Sequence, residues 1–176
     1  IFLPKSLIEL DKRFFSNVNL KKIEISPLNT NFEFKDDQFF LGKTDPKSDN
    51  FDVLLFAVHN IVKANIPSSI KIISSSAFYE CEKLIKVDFS PNCELQSIEK
   101  LAFSLTKITQ ILIPSHVSNI DNKAFCSCNY LKIVQIEENT ELKSINPYIF
   151  LHCDLLLMIP SKNSIELKKE RIMVFQ

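Results

Sequence analysis

Apolar side chains recur along the chain at a spacing far longer than a helical or strand period. An Ala-Phe or Ile-Phe pair occurs four times, at intervals of 25, 22 and 25 residues, and an isoleucine stands four residues before each pair. The pairs are Ala77-Phe78, Ala102-Phe103, Ala124-Phe125 and Ile149-Phe150, and the isoleucines are Ile73, Ile98, Ile120 and Ile145. A period of roughly 20 to 50 residues indicates a repeat architecture.

A short apolar run follows each of the first three pairs, at 84–89, 108–113 and 131–136. Its first, fourth and sixth positions are apolar, so its second half alternates in the way that predicts a strand with one buried face. Proline often follows a strand, at Pro67, Pro114 and Pro160. Because proline lacks an N–H and fixes φ, it ends the strand and turns the chain.

Stacking explains the repeat, since one short repeat cannot bury its own apolar side. Stacked copies place the isoleucines in one column and the phenylalanines in another, with parallel strands about 4.8 Å apart. A cysteine also recurs, four residues after the first member of three pairs, at Cys81, Cys128 and Cys153. We therefore predict a β-rich solenoid with a parallel sheet on one face and short strands or 3-10 turns on the other. An ordinary β domain with coincidental spacing is the alternative.

Residues 26–65 interrupt the pattern. Two strand-like runs, at 38–43 and 51–57, flank a polar stretch at 44–50 that has the composition of a turn. They predict an inserted antiparallel hairpin, and a separate second domain is disfavoured because the segment is short. The single repeat domain at 1–176 then divides into a degenerate first repeat at 1–25, the insertion at 26–65, regular repeats at 66–160, and a cap or partial repeat at 161–176. A helix in that last segment that targets a membrane or a partner is the alternative.

The unit Ile-x3-Ala-Phe-x2-Cys-x2-Leu-x2-Val-x-Ile-Pro resembles the BspA-like leucine-rich repeats of bacterial and protist surface proteins. The resemblance covers residues 66–160 well and residues 3–25 loosely, and the repeat that starts at Ala102 lacks the cysteine. It implies a leucine-rich-repeat solenoid with an insertion stacked against it. It also implies cell-surface or secreted display and contact with a host or matrix protein.

Composition narrows the classes of function. Lys+Arg and Asp+Glu both number 21, whereas nucleic-acid binders normally carry a basic excess, so we expect no nucleic-acid partner. The single glycine, Gly42, excludes glycine-rich dinucleotide-binding and phosphate-binding loops. No apolar run is long enough to span a membrane, so we expect no direct membrane insertion, and nothing calls for a cofactor.

The residue types that carry chemistry form no convincing constellation. Cys126-x-Cys128 is the one close cysteine pair, and a structural zinc site would need a second pair or histidines at suitable spacing. Three cysteines occupy a repeat position, so a buried core column is the favoured interpretation, and a Cys128–Cys153 disulfide between stacked repeats is the alternative. His152 adjoins Cys153, but neighbouring residues of an extended segment face opposite ways. We therefore expect no metal and no catalytic residues.

Function in a solenoid usually resides on the exposed face of its sheet. Strand alternation predicts the outward-facing positions, which form the candidate binding face: Lys22, Glu24, Lys86, Asp88, Gln110, Leu112, Ile133 and Gln135. This face is charged at one end and partly apolar near Leu112 and Ile133, where aliphatic side chains in register on neighbouring strands could form a small binding patch. Scattered exposed aliphatics of no significance are the alternative.

The sequence thus predicts a non-catalytic module for protein–protein interaction or adhesion, and the resemblance implies that it is displayed at the cell surface or secreted. An intracellular scaffold or inhibitor-type repeat protein in the cytoplasm is the alternative, which a thiol-rich, unbridged core would suit. The partner in either case is a protein.

Overall fold

The computed structural model describes residues 1–10, 23–138 and 140–156. Within them the chain forms short β-strands and one 3-10 helix. The strands are β1 (Phe2–Leu3), β2 (Glu24–Ile25), β3 (Glu33–Lys35), β4 (Phe39–Gly42), β5 (Val53–Ala57), β6 (Lys63–Ile66), β7 (Ile72–Ile73), β8 (Lys86–Phe89), β9 (Ser97–Ile98), β10 (Gln110–Ile113), β11 (Asn119–Ile120) and β12 (Ile133–Ile136), and the 3-10 helix is Pro147–Phe150. The predicted β-rich solenoid is confirmed.

One side of the solenoid is built from two-residue strands. β7, β9 and β11 pair in parallel, and the register aligns Ile73 with Ile98 and Ile98 with Ile120. All three isoleucines are buried, which is the column that the spacing predicts. β5 extends the same sheet, because Leu54 lies beside Ile73 in parallel register.

The opposite side carries the longer strands. β6 pairs in parallel with β8, and β10 pairs in parallel with β12. Burial alternates along each strand, with Ala64, Val87, Ile111 and Val134 turned into the core. The alternation arises because successive residues of a strand point to opposite faces.

A third side holds the Phe78, Phe103, Phe125 and Phe150 rings in a continuous stack. Neighbouring centroids lie 4.9, 5.2 and 5.5 Å apart, with interplanar angles of 12°, 4° and 19°. Backbone hydrogen bonds follow the stack: the N–H of Phe78 donates to the carbonyl of Ala102, and the N–H of Phe103 donates to that of Ala124, at 2.7 and 2.8 Å. Phe39 meets the Phe78 end edge-on, 6.2 Å between centroids.

The turns around the Ala-Phe pairs use left-handed backbone without glycine. The residue before the pair and the residue two positions after it have positive φ in three successive repeats: Ser76, Glu80, Leu101, Leu105, Lys123 and Ser127, all between 58° and 63°. Because side chains with a Cβ adopt this conformation at a cost of roughly 1–2 kcal/mol, the stacked turns must impose it.

The repeating cysteines lie in the core, as predicted. Cys81, Cys128 and Cys153 are buried, and each thiol lies against a backbone carbonyl of the preceding turn. The Cys128 sulfur is 3.0 Å from the Phe103 carbonyl oxygen, and the Cys153 sulfur is 3.0 Å from that of Phe125. All five cysteines are free thiols. Thr106 occupies the cysteine position of the repeat that lacks one, and its hydroxyl donates to the carbonyl of Phe103 at 2.9 Å.

The predicted hairpin is formed by β4 and β5, which pair antiparallel with a register shift between Phe40 and Leu41. β3 adds a third antiparallel strand that the sequence analysis did not anticipate. β5 belongs to both arrangements, because its other edge pairs with β7. Part of the segment predicted as an insertion, β5 and β6, therefore carries solenoid pairing.

Asn29 fastens the amino-terminal segment to the chain that follows it. Its buried side-chain amide donates to the carbonyls of Pro4 and Leu7, at 2.8 and 3.0 Å. Its side-chain oxygen accepts from the N–H groups of Asn31 and Phe32. Beside it lies a second apolar cluster, comprising Leu3, Ile23, Phe32, Phe40 and Phe56.

Candidate binding face

The exposed side chains of β6, β8, β10 and β12 form what we call the sheet face. Two residues of each strand point outward, one at each flank of the central buried residue. The members are Lys63 and Asn65, Lys86 and Asp88, Gln110 and Leu112, and Ile133 and Gln135. All eight are exposed, and the two paired strands β6 and β8 lie beside the two paired strands β10 and β12.

Six of the predicted face residues lie together here. Lys86 and Asp88 lie two positions apart on the same strand and form an ion pair, with 2.7 Å between the ammonium nitrogen and the carboxylate oxygen. Both side chains are about half exposed, and solvent-exposed pairs contribute little to stability. Glu24 is exposed on β2, which pairs with β1 in a separate sheet, so strand pairing does not bring it to the other six. Lys22 lies outside the described residues.

Leu112 and Ile133 are the large apolar side chains of the sheet face, exposed by 41% and 39%. The register places Gln110 opposite Ile133 and Leu112 opposite Gln135. The two aliphatic residues are therefore diagonal neighbours on adjacent strands, and the expectation that they lie in register was wrong. Each is flanked by a neutral amide, so the half of the face formed by β10 and β12 carries no charge of its own.

A groove of about 480 Å³ opens beside Leu112, where the ends of β8 and β10 adjoin. Strand pairing runs from β6 to β8 and from β10 to β12, while β8 and β10 lie in separate ladders. Asp88, Phe89 and Glu137 contribute to its wall. Cys93 also lines it, and burial raises the pKa of that thiol above its ordinary value. The groove therefore places the carboxylates of Asp88 and Glu137 close to the exposed side chain of Leu112.

Lys63 and Asn65 are face residues that the sequence analysis missed. A signal for them was present, because Ala64 and Ile66 alternate with them immediately before Pro67. The segment had been assigned to the insertion, so the alternation was not extended to it.

The side chains that could take part in catalysis or metal binding do not form one cluster in the described residues. Within residues 1–10, 23–138 and 140–156, no group of three or more His, Cys, Asp and Glu side chains is placed to hold a metal ion. His152 is exposed in a turn with φ of 59°, while Cys153 is buried. His116 lies 3.2 Å from Glu141 on the protein surface. Burial raises the pKa of Cys81 from 9.0 to about 12, so this thiol is protonated and a poor nucleophile at neutral pH.

The sequence that forms this solenoid matches one established family. The pattern described as "BspA type Leucine rich repeat region" matches this sequence in six copies, over residues 1–45 and 50–171. The chain belongs to the BspA-type leucine-rich repeat family. The match includes the degenerate first repeat and most of the segment that carries the hairpin.

Solved leucine-rich repeat structures share the fold of this BspA-type chain. A leucine-rich repeat protein from Eubacterium ventriosum superimposes with a TM-score of 0.72 at 21% identity, covering 88% of this chain and 40% of that one. A leucine rich cell surface protein from Faecalibacterium prausnitzii gives 0.68 at 19%, covering 93% and 48%. The pneumococcal vaccine antigen PcpA gives 0.59 at 20%, covering 78% and 38%. The BspA-type chain thus spans less than half the length of these three proteins.

No curated protein shows significant similarity to the sequence. In the described residues of this BspA-type chain, no helix has both the length and the apolar character needed to cross a bilayer.

Proposed function

We propose that this chain is a non-catalytic protein-binding module and that the sheet face is its binding surface. The observation that carries the proposal is the composition of the face: two exposed aliphatic side chains, Leu112 and Ile133, lie on β10 and β12, flanked by amides, with the charged side chains of β6 and β8 on the other half of the face. Binding surfaces commonly combine an apolar part with polar surroundings. The groove beside Leu112 supplies a concave feature into which a partner side chain can insert.

Cell-surface or secreted display is the location we propose for the module. Two proteins that share its fold carry names that indicate such a setting, a cell surface protein and a vaccine antigen. Adhesion to a host or matrix protein would be the corresponding role. The argument rests on likeness of fold, which by itself does not fix function.

An intracellular scaffold is the second candidate, and the free thiols favour it. Disulfides form and persist mainly in oxidising compartments, whereas all five cysteines here are unbridged and four are buried. Intact mass and thiol counting on protein purified from its native source discriminate the two, since bridged cysteines would remove the observation that favours the scaffold.

The binding proposal is tested with the double variant Leu112→Ser/Ile133→Ser. The intact chain is first used as bait to identify a protein partner, and the affinity of that partner is then measured by calorimetry or interferometry. The variant should weaken binding at least tenfold, because about 1.4 kcal/mol corresponds to a factor of ten and both anchors lose apolar burial.

The matched control is Leu28→Ser/Leu155→Ser, which removes two exposed leucines that lie outside the sheet face. It should leave the affinity unchanged. Equal affinities for the wild-type chain and the face variant would remove the sheet face as the binding surface.

A further inference from the structure

Charge is distributed unequally between the two ends of the sheet face. Because β6, β8, β10 and β12 are parallel, all four begin at one rim and end at the other. The beginning rim carries exposed lysines on or just before the strands: Lys63, Lys83, Lys86, Lys107 and Lys132. Glu82 is the exposed acidic residue among them.

The opposite rim is acidic. Exposed glutamates lie at or beyond the strand ends: Glu94, Glu137, Glu138 and Glu141. Backbone bonds hold two of them at this rim, since the N–H of Glu94 donates to the carbonyl of Ser68 and that of Glu141 donates to the carbonyl of Ser115. His116 is also part of this rim and lies beside Glu141. Asp88, one strand position inward, is paired with Lys86.

Such a face is complementary to itself. If two copies meet face to face across a two-fold axis parallel to the sheet and perpendicular to its strands, the strands of the two copies run antiparallel. The lysine rim of each copy then lies against the glutamate rim of the other, twice over. An interface of this kind uses the same patch on both subunits, as in most symmetric dimers, and the formal net charge of zero adds no overall repulsion.

The middle of the face suits the same arrangement. Ile133 lies at the beginning of its strand and Leu112 lies towards the end of the neighbouring one, so the two-fold operation, which exchanges the two ends, brings the apolar diagonals of both copies to the same zone. The groove opens at the acidic end, with Asp88 and Glu137 in its wall. A lysine side chain from the other copy can lay its methylene stem in the groove and reach these carboxylates.

We propose that the sheet face binds a second copy of this chain, forming a two-fold dimer held by its opposed charged rims. The inference rests on the proposed function, because it uses the same face, and it adds the identity of a partner. The face is about four strands wide, at about 4.8 Å per strand, and about eight residues long with its rims, at roughly 3.3 Å per residue. These dimensions give an area on the order of 500 Å² per copy. The resulting total of about 1,000 Å² is at the lower limit of specific interfaces, so the dimer is weak and salt-sensitive.

The test is the mass of the intact chain by sedimentation equilibrium, over a concentration series at about 0.1 M and about 1 M NaCl, where the screening length falls from about 10 to about 3 Å. We expect a dimer with a Kd on the order of micromolar at low salt, weakened about tenfold or more at high salt. A chain that stays monomeric throughout the low-salt series overturns the proposal.

Charge reversal identifies the surface. Lys107→Glu/Lys132→Glu leaves three positive and three negative side chains at the beginning rim, and Glu94→Lys/Glu138→Lys leaves two of each at the ending rim. Each variant alone should dimerise about tenfold more weakly than the wild-type chain or not at all, because one of its two rims no longer carries a net charge that attracts the other. An equimolar mixture of the two should recover a heterodimer, since one contact again joins an unaltered lysine rim to an unaltered glutamate rim. Because all four sites are exposed, circular dichroism should show unchanged folding, and a dimer indifferent to both reversals would place the contact elsewhere.

The dimer proposal and the proposed function can fail independently. If the chain is monomeric and its binding to another protein still depends on Leu112 and Ile133, the dimer is wrong and the binding surface stands. If the chain forms a salt-sensitive dimer and its binding to another protein does not depend on those residues, the dimer stands and the proposed binding surface is wrong.

Discussion

The rings of Phe103 and Phe125 lie almost parallel, with 5.2 Å between their centroids and 4° between their planes. Both side chains are fully buried, and each contacts a further phenylalanine on its other side. The stack therefore joins neighbouring repeats through one side chain per repeat. Aromatic contacts of this kind contribute about 0.5–1.5 kcal/mol beyond the burial of area.

Truncation of one ring should destabilise the solenoid strongly. Phe103→Ala removes a buried ring with neighbours on both faces, and we expect the free energy of unfolding to fall by about 3–5 kcal/mol. Urea denaturation followed by far-ultraviolet circular dichroism measures the change. Phe2, which is 61% exposed, is the matched control, and Phe2→Ala should cost about 0.5 kcal/mol or less. Comparable losses for the two variants would contradict the importance of the stack.

The buried thiol of Cys81 predicts a loss of stability at alkaline pH. Its pKa is raised from 9.0 to about 12 by burial, so between these values the unfolded chain releases a proton that the native chain keeps. The free energy of unfolding should be unaffected by this thiol below pH 9 and should fall above it, by up to about 1.4 kcal/mol per pH unit. The neighbouring Cys128 thiol and burial raise the pKa of Cys153 in the same direction.

The variant Cys81→Ala isolates this contribution, since it leaves the other titrating groups in place. Denaturant unfolding at a series of pH values above 9 should give a shallower decline for Cys81→Ala than for the wild-type chain. Parallel declines would mean that the native Cys81 thiol ionises as readily as an exposed one.

The left-handed backbone at Lys123 predicts a stabilising substitution. Its φ of 63° costs a side chain with a Cβ roughly 1–2 kcal/mol, whereas glycine avoids this cost but loses about 0.5–1 kcal/mol through the greater freedom of the unfolded chain. Lys123→Gly should therefore raise the free energy of unfolding by about 0.5–1 kcal/mol. Lys107 is also exposed and has no positive φ, so Lys107→Gly should lower it by a similar amount. A fall for both variants would show that the turn geometry is not under strain.

The Asn29 side chain predicts a local change at the amino terminus. Asn29→Asp keeps the acceptor for Asn31 and Phe32 but replaces the donor to the carbonyls of Pro4 and Leu7 by a second oxygen. The segment before residue 10 should separate from its neighbour. The N–H groups of Glu24 and Ser26 donate to the carbonyls of Ile1 and Leu3. Their amide hydrogens should then exchange faster in hydrogen-exchange mass spectrometry.

Asn122 offers a control for that substitution because it is exposed. Asn122→Asp should leave amide exchange at Glu24 and Ser26 unchanged. Unaltered exchange in Asn29→Asp itself would show that the amino-terminal segment is held by its apolar contacts.

The stacked columns of isoleucine, phenylalanine and cysteine side chains could be predicted from the sequence, because each consists of one residue type that recurs at the repeat interval. Ile73, Ile98 and Ile120 appear in parallel register because a period of 22 or 25 residues leaves stacking as the way to bury them. The role of Thr106 as a substitute for cysteine could have been read as well, since it stands four residues after Ala102.

Other features depend on how neighbouring turns fit together. The diagonal placement of Leu112 and Ile133 is an exception that could have been read from the sequence, since they are the fifth and the third residues of the equivalent runs 108–113 and 131–136. The groove opens where the ladder is interrupted between β8 and β10, and no local pattern marks that interruption. The left-handed residues were missed because glycine usually signals this conformation, and here the positions carry serine, glutamate, leucine or lysine.

The phenylalanine stack also has a mechanical meaning. Because the stack joins each ring to the rings of the neighbouring turns, tension applied at the two ends of the array is resisted one turn at a time. Under load the array should lengthen in discrete steps, each releasing the contour length of one repeat. When the load is removed, it should refold from the repeats that have stayed folded. A protein built in this way would extend under a pulling force and recover its shape when the force is removed.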